Sequence, residues 1–336
     1  MGKFKRMNGW QILITIILLC INLPNAYASI DRQEASVESF LGSSLKGGFK
    51  IGHKLTSFSN NNFVVQEPLT GERWVLRLPH EVSNLLSDRV QEREVLKWAF
   101  KESISLIEVK DYDSDKGYLL TRFLQGQSCS APDFKNTAKL QTALKLLYRL
   151  HSSKTAPISA KFQPLSRFFA TSIVAASREL SLPKEVQDVA DQLKQLLSQI
   201  PTCRFQSVVC HNDPSPENFF YQDSRLYLHD WELAGFNDPM WDLTHFSVIA
   251  QIDPEKILSL YPASDPWALE KMMFFRPFIF FNTVVWASLE RQQQFSSLSP
   301  QITEMLYHTF LEKIADSIKS SSFQVSLQKL IQGDAL

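Results

Sequence analysis

The sequence predicts an α+β fold of two lobes, a small lobe built on an antiparallel sheet and a larger, mainly helical lobe. Short β-prone runs and turn signals crowd the stretch from Phe49 to His80. From Ser128 onward, apolar residues recur instead at every third or fourth position, which is the helical period. With 336 residues, 44% of them hydrophobic, the chain is long enough to bury one large core or two smaller ones.

Charge and cysteine content exclude several classes of protein. Lysine plus arginine and aspartate plus glutamate each number 35, so the formal net charge is zero, and no basic stripe interleaved with aromatics is visible. We therefore expect no nucleic-acid partner. The four cysteines, Cys20, Cys129, Cys203 and Cys210, show neither metal-site spacing nor the density of a disulfide scaffold. This favours structural thiols.

Residues 1–28 have the three parts of a secretory signal peptide. Basic residues in Lys3–Arg6 precede the apolar run Gln11–Leu23, and the small residues around Ala28 fit a cleavage site. The apolar run is short for a membrane span. The alternative is an apolar N-terminal helix that packs on the domain. We expect any membrane contact to be made through this leader alone.

The small lobe is predicted over residues 29–124. A polar lead-in with a short helix comes first, followed by three strands and a "PLTGE" turn between the second and third. The polar stretch Thr56–Asn62 is expected to form a loop between the first two strands, where small residues let backbone N–H groups approach phosphate oxygens. A helix within "SDRVQEREVLKWAFKE" follows, and Gly117–Gly126 predicts a last strand leading into the second lobe.

The large lobe is predicted over residues 125–336. The segments "NTAKLQTALKLLYRLHSS" and "KEVQDVADQLKQLLSQIP" have the period of amphipathic helices. Further helices are expected beyond Leu243, one of them rich in aromatic residues. Its phenylalanines Phe278, Phe280 and Phe281 lie among many apolar neighbours, so a core position is favoured over a ligand site.

The segment from Cys210 to Glu232 carries the pattern that points to chemistry. His211, Asp213 and Asn218 fill an H-x-D-x-x-x-x-N pattern, and Asp230 ends a short apolar hairpin. Folding that hairpin brings Asn218 and Asp230 to one end of a two-stranded ribbon, where two oxygen ligands predict a metal site. Asp213 can then orient an attacking hydroxyl and accept its proton, as phosphoryl transfer requires. The alternative is a surface loop whose polar residues cap turns.

The stretch "CHNDPSPENFF…LYLHDWELAGFNDPMWDL", within Val209 to Leu243, resembles the choline/ethanolamine kinase family of the aminoglycoside-phosphotransferase superfamily. It is most similar to the bacterial branch with lipopolysaccharide choline kinases, and thiamine kinases are near relatives. The resemblance implies a protein-kinase-like two-lobed fold, with ATP and Mg²⁺ as cofactors. Two departures are His229, where an aliphatic residue is usual, and Leu233, where a tyrosine is usual.

The resemblance also implies a set of nucleotide-binding residues. In chain order these are Ser59, Asn60, Asn61, Arg77, Glu92, Thr121 and Phe123. Arg77, on the third strand, is expected to contact the α- and β-phosphates, and Glu92 to pair with it, with Glu94 as the competing candidate. The backbone around Thr121 to Phe123 is expected to meet the adenine edge.

The acceptor site and its supports are the remaining residues that we predict. An acceptor with a quaternary ammonium group needs aromatic faces and a counter-charge. The predicted substrate-binding residues are Trp231, Glu232, Trp241 and Trp286. A core position for Trp286 is an equal alternative. The resemblance implies structural roles for His211, which anchors the loop, and for Asp242, which braces it through backbone hydrogen bonds.

These observations predict a kinase that phosphorylates a small cationic alcohol, with choline or ethanolamine as the favoured acceptor. Asp213 is its expected base, and Asn218 and Asp230 are its expected Mg²⁺ ligands. The alternatives are a thiamine or aminoglycoside kinase, or a non-catalytic exported binding protein with a kinase-like fold. The leader indicates export whereas ATP use favours the cytoplasm, so the sequence leaves the localisation open.

Overall fold

The computed structural model describes residues 34–45, 47–55, 60–80, 83–84, 87–155, 182–294 and 298–333. The leader predicted in residues 1–28 and the loop residue Ser59 lie outside these ranges. The chain divides into two compact units. The first comprises the described residues of Met1–Leu85 together with Glu108–Phe123 and Trp286–Thr309, and the second comprises those of Leu86–Ile107, Leu124–Val285 and Phe310–Leu336.

The helices and strands are numbered in chain order. The helices are α1 (Glu34–Ser44), α2 (Arg89–Lys101), α3 (Thr137–His151), α4 (Lys184–Ser198), α5 (Pro239–Ala250), α6 (Pro254–Leu260), α7 (Ala268–Gln293), α8 (Pro300–Lys319) and α9 (Ser321–Gln332). The strands are β1 (Lys50–Leu55), β2 (Asn60–Gln66), β3 (Arg73–Pro79), β4 (Val109–Asp113), β5 (Tyr118–Arg122), β6 (Gln127–Ser128), β7 (Val208–Cys210), β8 (Phe219–Gln222), β9 (Arg225–Leu228) and β10 (Gly235–Asn237). This order confirms the predicted α+β class, with an antiparallel sheet first and a mainly helical region after it.

The first unit is built on a five-stranded antiparallel sheet in the order β1-β2-β3-β5-β4. Alternate residues of its strands point to one face and form a buried cluster with α1. Phe63, Trp74 and Leu120 contribute from the sheet, and Val37 and Leu41 from the helix. The burial of this face explains why α1 packs on the sheet, since both elements would otherwise expose apolar area.

The predicted loop Thr56–Asn62 is too long at its end, because β2 already begins at Asn60. Asn60 and Asn61 pair with Pro79 and Leu78 of β3, and both asparagines are buried. Backbone pairing with β3 thus extends β2 beyond its apolar residues into a polar run whose local preference is for turns. Strand β4 was not predicted, since its sequence "VKDYD" is mostly polar.

The core of the second unit is aromatic and helical. In α7, Phe278, Phe280 and Phe281 are all buried, which confirms the core position predicted for them. Within the described residues, α7 is the one helix long and apolar enough to cross a membrane, and 72% of its most apolar window is buried inside the protein. Such burial is typical of a core helix.

Two small sheets in the second unit position the candidate site. Strand β8 lies between β6 and β9, and Phe219 pairs with Leu228 in the β8–β9 ribbon. Strand β7 pairs with β10, so that Cys210 lies opposite Gly235. The chain leaves β7 at Cys210 and enters β8 at Phe219. The residues between these two strands therefore form a short loop whose two ends are fixed by pairing.

Candidate active site

The loop between β7 and β8 starts in an unusual backbone conformation that its sequence accommodates. Asn212 has a positive φ of 67°, which asparagine tolerates better than most residues. Its side chain donates to the carbonyl of Leu233 at 2.8 Å and accepts from the side chain of Asn237 at 2.9 Å. A turn of 3₁₀-helix, Pro216–Asn218, ends the loop. The loop is therefore held by side-chain hydrogen bonds to residues far along the chain.

Asp242, on α5, binds the start of this loop. Its two carboxylate oxygens accept the backbone N–H groups of His211 and Asn212, each at 2.8 Å. His151 lies 3.0 Å from one of these oxygens, and Asp242 is fully buried. Burial alone would raise the pKa of Asp242, but its hydrogen bond and charge interaction with His151, and those with His211, lower the pKa overall. The carboxylate thus stays ionised and holds both amides.

Asp213 carries the carboxylate that remains open at the end of the loop. Ser215 donates its hydroxyl to Oδ1 at 2.7 Å, and the Asn218 amide donates to the Asp213 carbonyl at 2.8 Å and lies 3.3 Å from Oδ2. The side chain of Asp213 is 32% exposed. An oriented and accessible carboxylate of this kind can accept a proton from a bound hydroxyl.

Asn218 and Asp230 lie at the same end of the β8–β9 ribbon. The N–H of His229 donates to the carbonyl of Asn218 at 3.0 Å, so the strand-end residues are directly paired. Because the amide nitrogen of Asn218 points toward Asp213, its oxygen is the atom able to ligate a metal. Asp230 adds a carboxylate at a positive φ of 64°. An amide oxygen and a carboxylate are hard ligands that suit Mg²⁺.

His229 stands beside the candidate metal ligand Asp230, yet it adds no positive charge at neutral pH. Burial, and secondarily the nearby His211 ring, lower the pKa of His229 to about 4. The Nε2 atom of His211 lies 2.9 Å from the His229 carbonyl. The departure from an aliphatic residue at this position therefore leaves the electrostatics for a cation nearby unchanged.

Glu232 and Glu92 meet at an arginine that the sequence did not single out. Arg89, at the start of α2, contacts Glu92 at 2.8 Å and Glu232 at 3.1 Å, and all three side chains are largely buried. Glu94 lies on the exposed part of α2 and pairs with Arg93. The position of Glu92 is therefore the more suitable of the two for a buried functional pair. A signal for Arg89 was its place three residues before Glu92 on a helix.

Two of the predicted aromatic substrate residues are core side chains. Trp231 and Trp241 are each 1% exposed, and their indole N–H groups donate to the carbonyls of Leu228 and Asn212. This burial disfavours the direct substrate contact predicted for both. The apolar neighbours in "LYLHDW" and "DPMWDL" were the sequence signal for the burial of these two tryptophans. Trp286 is half-buried on α7 and belongs to the first unit.

The described nucleotide-binding candidates of the first unit lie on its sheet. Arg77 is buried and donates to the Tyr112 hydroxyl at 3.3 Å and the Gly117 carbonyl at 3.4 Å. Thr121 is a buried residue of β5 and lies between β3 and β4. Phe123 donates its backbone N–H to the Arg73 carbonyl at 3.0 Å. Because that N–H is used within the sheet, any adenine contact of Phe123 would fall to its carbonyl.

His151, Cys210 and Asp242 form a buried cluster whose potential ligand atoms lie within 4.8 Å of one another. Each group is already engaged in a way that argues against a metal centre. Asp242 accepts two backbone N–H groups, and His151 contacts both Tyr261 and Asp242. Burial raises the pKa of the Cys210 thiol well above its ordinary value, which disfavours the thiolate that a metal needs. The cluster is a hydrogen-bonded support for the loop.

Comparison with known proteins assigns the chain to a family. The sequence model of the phosphotransferase enzyme family (APH) matches residues 54–274, which is more than half of the chain. The chain belongs to this family. Protein LicA of Haemophilus influenzae is 27% identical to it over 202 residues, which are 59% of this chain and 73% of that protein.

Solved structures share the fold of this phosphotransferase-family chain. A choline/ethanolamine kinase family protein from Mesorhizobium loti has a TM-score of 0.63 at 21% identity, covering 90% of this chain and all of that one. The choline kinase LicA from Streptococcus pneumoniae has a TM-score of 0.65 at 19% identity, with 85% and 99% coverage. A structure of LicA in complex with AMP has a TM-score of 0.67 at 18% identity, with 84% and 98% coverage.

Proposed function

We propose that this phosphotransferase-family protein transfers the γ-phosphoryl group of ATP to the hydroxyl of a small amino alcohol, with choline or ethanolamine as the acceptor. The observation that carries the proposal is the loop between β7 and β8. It presents Asp213 as an accessible carboxylate and leads directly to Asn218. The similar solved structures, which include a choline kinase and a choline/ethanolamine kinase family protein, support the acceptor class.

In the proposed reaction, Asp213 orients the acceptor hydroxyl and takes its proton as the oxygen bonds to the γ-phosphorus. The bond between that phosphorus and the bridging oxygen of ADP breaks, and ADP leaves with the electron pair. The proton on Asp213 then passes to solvent. Asn218 and Asp230 are the residues that would hold Mg²⁺, which when bound neutralises charge on the phosphates.

Nucleotide binding is proposed for residues of the first unit together with Glu92. Arg77 would contact the phosphates, with Glu92 pairing with it, and the β2 residues Asn60 and Asn61, with Ser59 before them, would approach the phosphates. Thr121 and Phe123 would lie along the adenine edge. The AMP complex of LicA supports the use of an adenine nucleotide. A signal-peptide-like leader in residues 1–28 stays a proposal, and with it the question of which compartment supplies ATP.

For the acceptor, we propose Glu232 and Trp286 as contacts and leave out Trp231 and Trp241 because both are buried. Glu232 contacts Arg89 at 3.1 Å, and 12% of its side chain is exposed. Its carboxylate is the counter-charge that we propose for a quaternary or primary ammonium group. The formal net charge of zero disfavours the broad acidic groove that suits a polycationic aminoglycoside.

The test is ADP release by the purified protein with ATP and Mg²⁺ against choline, ethanolamine, thiamine and an aminoglycoside. We expect turnover with choline or ethanolamine and little with the other two. Turnover with thiamine or the aminoglycoside alone would replace the acceptor class. Nucleotide binding without turnover on any acceptor would support the exported binding protein instead, and failure to bind nucleotide would contradict the kinase function altogether.

A further inference from the structure

Besides Asp242, helix α5 brings a second side chain to the loop between β7 and β8. His245 follows Asp242 by one helical turn, so both residues project from the same face of α5. The Nε2 atom of His245 lies 3.3 Å from Oδ1 of Asp213. The ring itself is buried, with 8% of the residue exposed. The proposed base therefore has an imidazole as its inner neighbour.

The His245 ring is neutral and its proton position follows from its surroundings. Burial lowers the pKa of His245, and this outweighs the opposite influence of Asp213 and Asp242. The Nδ1 atom is buried and has no hydrogen-bond partner among the described residues. Since Nε2 faces a carboxylate oxygen, a proton on Nε2 gives attraction where a bare nitrogen would give repulsion. A neutral ring protonated on Nε2 would therefore place an N–H group beside the base.

The two oxygens of Asp213 are held unequally. Oδ1 accepts the Ser215 hydroxyl at 2.7 Å and has His245 at 3.3 Å. The described contact of Oδ2 is the amide of Asn218 at 3.3 Å. The Ser215 hydroxyl donor and the adjacent His245 ring restrict the rotation of the carboxylate at Oδ1, so that Oδ2 is the oxygen left to meet an acceptor hydroxyl.

We propose that His245 is a positioning residue that orients Asp213 through Oδ1, so that Oδ2 faces the hydroxyl to be phosphorylated. This inference rests on the proposed function, because it assigns Asp213 as the base. A purely structural role for His245 predicts instead that an apolar residue of similar size preserves kcat. A buried ring nitrogen without a partner is unfavourable for folding, so such a residue would fill the space at least as well.

The kinetic test compares three substitutions of His245. In H245L the N–H group is lost, in H245Q the amide nitrogen takes the place of Nε2, and in H245N the amide is too short to reach Asp213. We expect H245L and H245N to lower kcat by about tenfold to a hundredfold, as small misplacements of a catalytic group do. The KM for ATP and the unfolding temperature should stay at the wild-type values, and H245Q should recover kcat to within about threefold.

A histidine outside the candidate site provides the matched control for this test. His308 is an exposed histidine on α8 that pairs with Glu304, so H308L should leave kcat unchanged. Wild-type kcat in H245L would overturn the inference. So would a loss of activity that follows a lower unfolding temperature and that H245Q does not restore.

A second measurement does not depend on turnover. Nitrogen-15 NMR of protein labelled at histidine, with the His245 signal identified by its loss in H245Q, reports which ring nitrogen carries the proton. We expect a neutral ring with the proton on Nε2 and a changed Nε2 signal in D213A. A proton on Nδ1, or a signal that D213A leaves unmoved, would overturn the inference. If the wild type phosphorylates none of the tested acceptors, the proposed function fails while this measurement still decides the contact.

Discussion

Asp213 and Asp242 show how one loop uses two carboxylates for different purposes. Asp242 is fully buried and accepts two backbone N–H groups, whereas the Asp213 side chain is one-third exposed. Satisfied hydrogen bonds make a buried carboxylate a fixed anchor, because moving it would leave its partners without acceptors. Access to solvent and substrate leaves the other carboxylate able to exchange a proton. Burial therefore separates the anchor from the proposed base.

At the residue scale, D242N tests the anchor. One oxygen becomes an NH₂ group that faces a backbone N–H, so a hydrogen bond is replaced by a repulsion. We expect the free energy of unfolding to fall by about 2–3 kcal/mol, the range for hydrogen bonds to a charged group. We also expect kcat to fall at least about tenfold because the loop that carries Asp213 shifts. Urea denaturation and ADP release measure the two effects.

The pH dependence of the stability lost in D242N has a definite sign. The native pKa of Asp242 is lowered, so its contribution to stability is complete above its ordinary pKa of about 4. The contribution disappears only as the pH falls further, through the lowered native pKa. The difference in unfolding free energy between wild type and D242N should therefore be smaller below about pH 4 than at pH 5. D253N is the control, since Asp253 caps α6 at an exposed position where asparagine caps equally well.

Spacing indicated a shared site for candidate residues that are close together in the sequence. Asp213, Asn218 and Asp230 belong to one loop and one hairpin, so their spacing alone indicated a shared site. The contacts of Arg89 with Glu232 and of His245 with Asp213 join distant segments. Spacing gives no information about which distant segments pack together, and these contacts therefore required the structure.

At the scale of elements, α5 is the helix that organises the site, and its start is fixed by a buried ion network. Asp238 caps α5 by accepting the N–H of Met240, and it also accepts the N–H of Gln206. Lys271, on α7, contacts Asp238 at 2.9 Å and Asp265 at 2.6 Å, with its side chain 1% exposed. Fixing this end of α5 fixes Asp242 one turn later and His245 two turns later.

K271M tests the ion network. Removal of the ammonium group leaves two buried carboxylates without their shared cation, which is strongly unfavourable. We expect a loss of about 3–5 kcal/mol in unfolding free energy, measured by urea denaturation. K184M is the matched control, because the Lys184 side chain is 81% exposed and should change stability by less than about 0.5 kcal/mol. A loss in K271M no larger than that in K184M would show that the network does not stabilise the helix.

Element-level prediction succeeded where pattern and packing agree. The three strands that start the sheet and the helix after them follow their apolar periods, and each lies near its predicted place. Asn60 and Asn61 were assigned to a loop because asparagine favours turns, but pairing with β3 places them in β2. Cross-strand pairing is a property of the neighbouring strand and is invisible in a local polar run.

At the scale of the whole molecule, the proposed reaction needs residues from both compact units. The candidates for phosphate contact, such as Arg77, belong to the first unit, while Asp213, Asn218 and Asp230 belong to the second. The proposed phosphate contact Arg77 and the proposed base Asp213 are different residues with different partners in the reaction. Substitutions of the two should therefore affect different kinetic constants.

R77M tests the nucleotide side of this division. Loss of a charge-assisted contact with phosphate should raise the KM for ATP at least about tenfold, while the KM for the acceptor changes little. Steady-state kinetics with each substrate varied in turn measure both constants, and circular dichroism checks that the variant is folded. K116M removes a half-exposed lysine from the same unit and should leave both constants unchanged. An unchanged KM for ATP in R77M would remove Arg77 from the nucleotide site.

The role of Asp213 as the base is tested most directly by ADP release from D213N and the wild type, each with ATP, Mg²⁺ and the best acceptor. The Kd of each protein for ATP is measured as well. We expect D213N to lower kcat by about a hundredfold to ten-thousandfold, the usual contribution of a general base. The Kd for ATP should stay within about twofold of the wild-type value, since Asp213 acts on the acceptor. Wild-type turnover in D213N would contradict Asp213 as the base and, with it, the proposed mechanism.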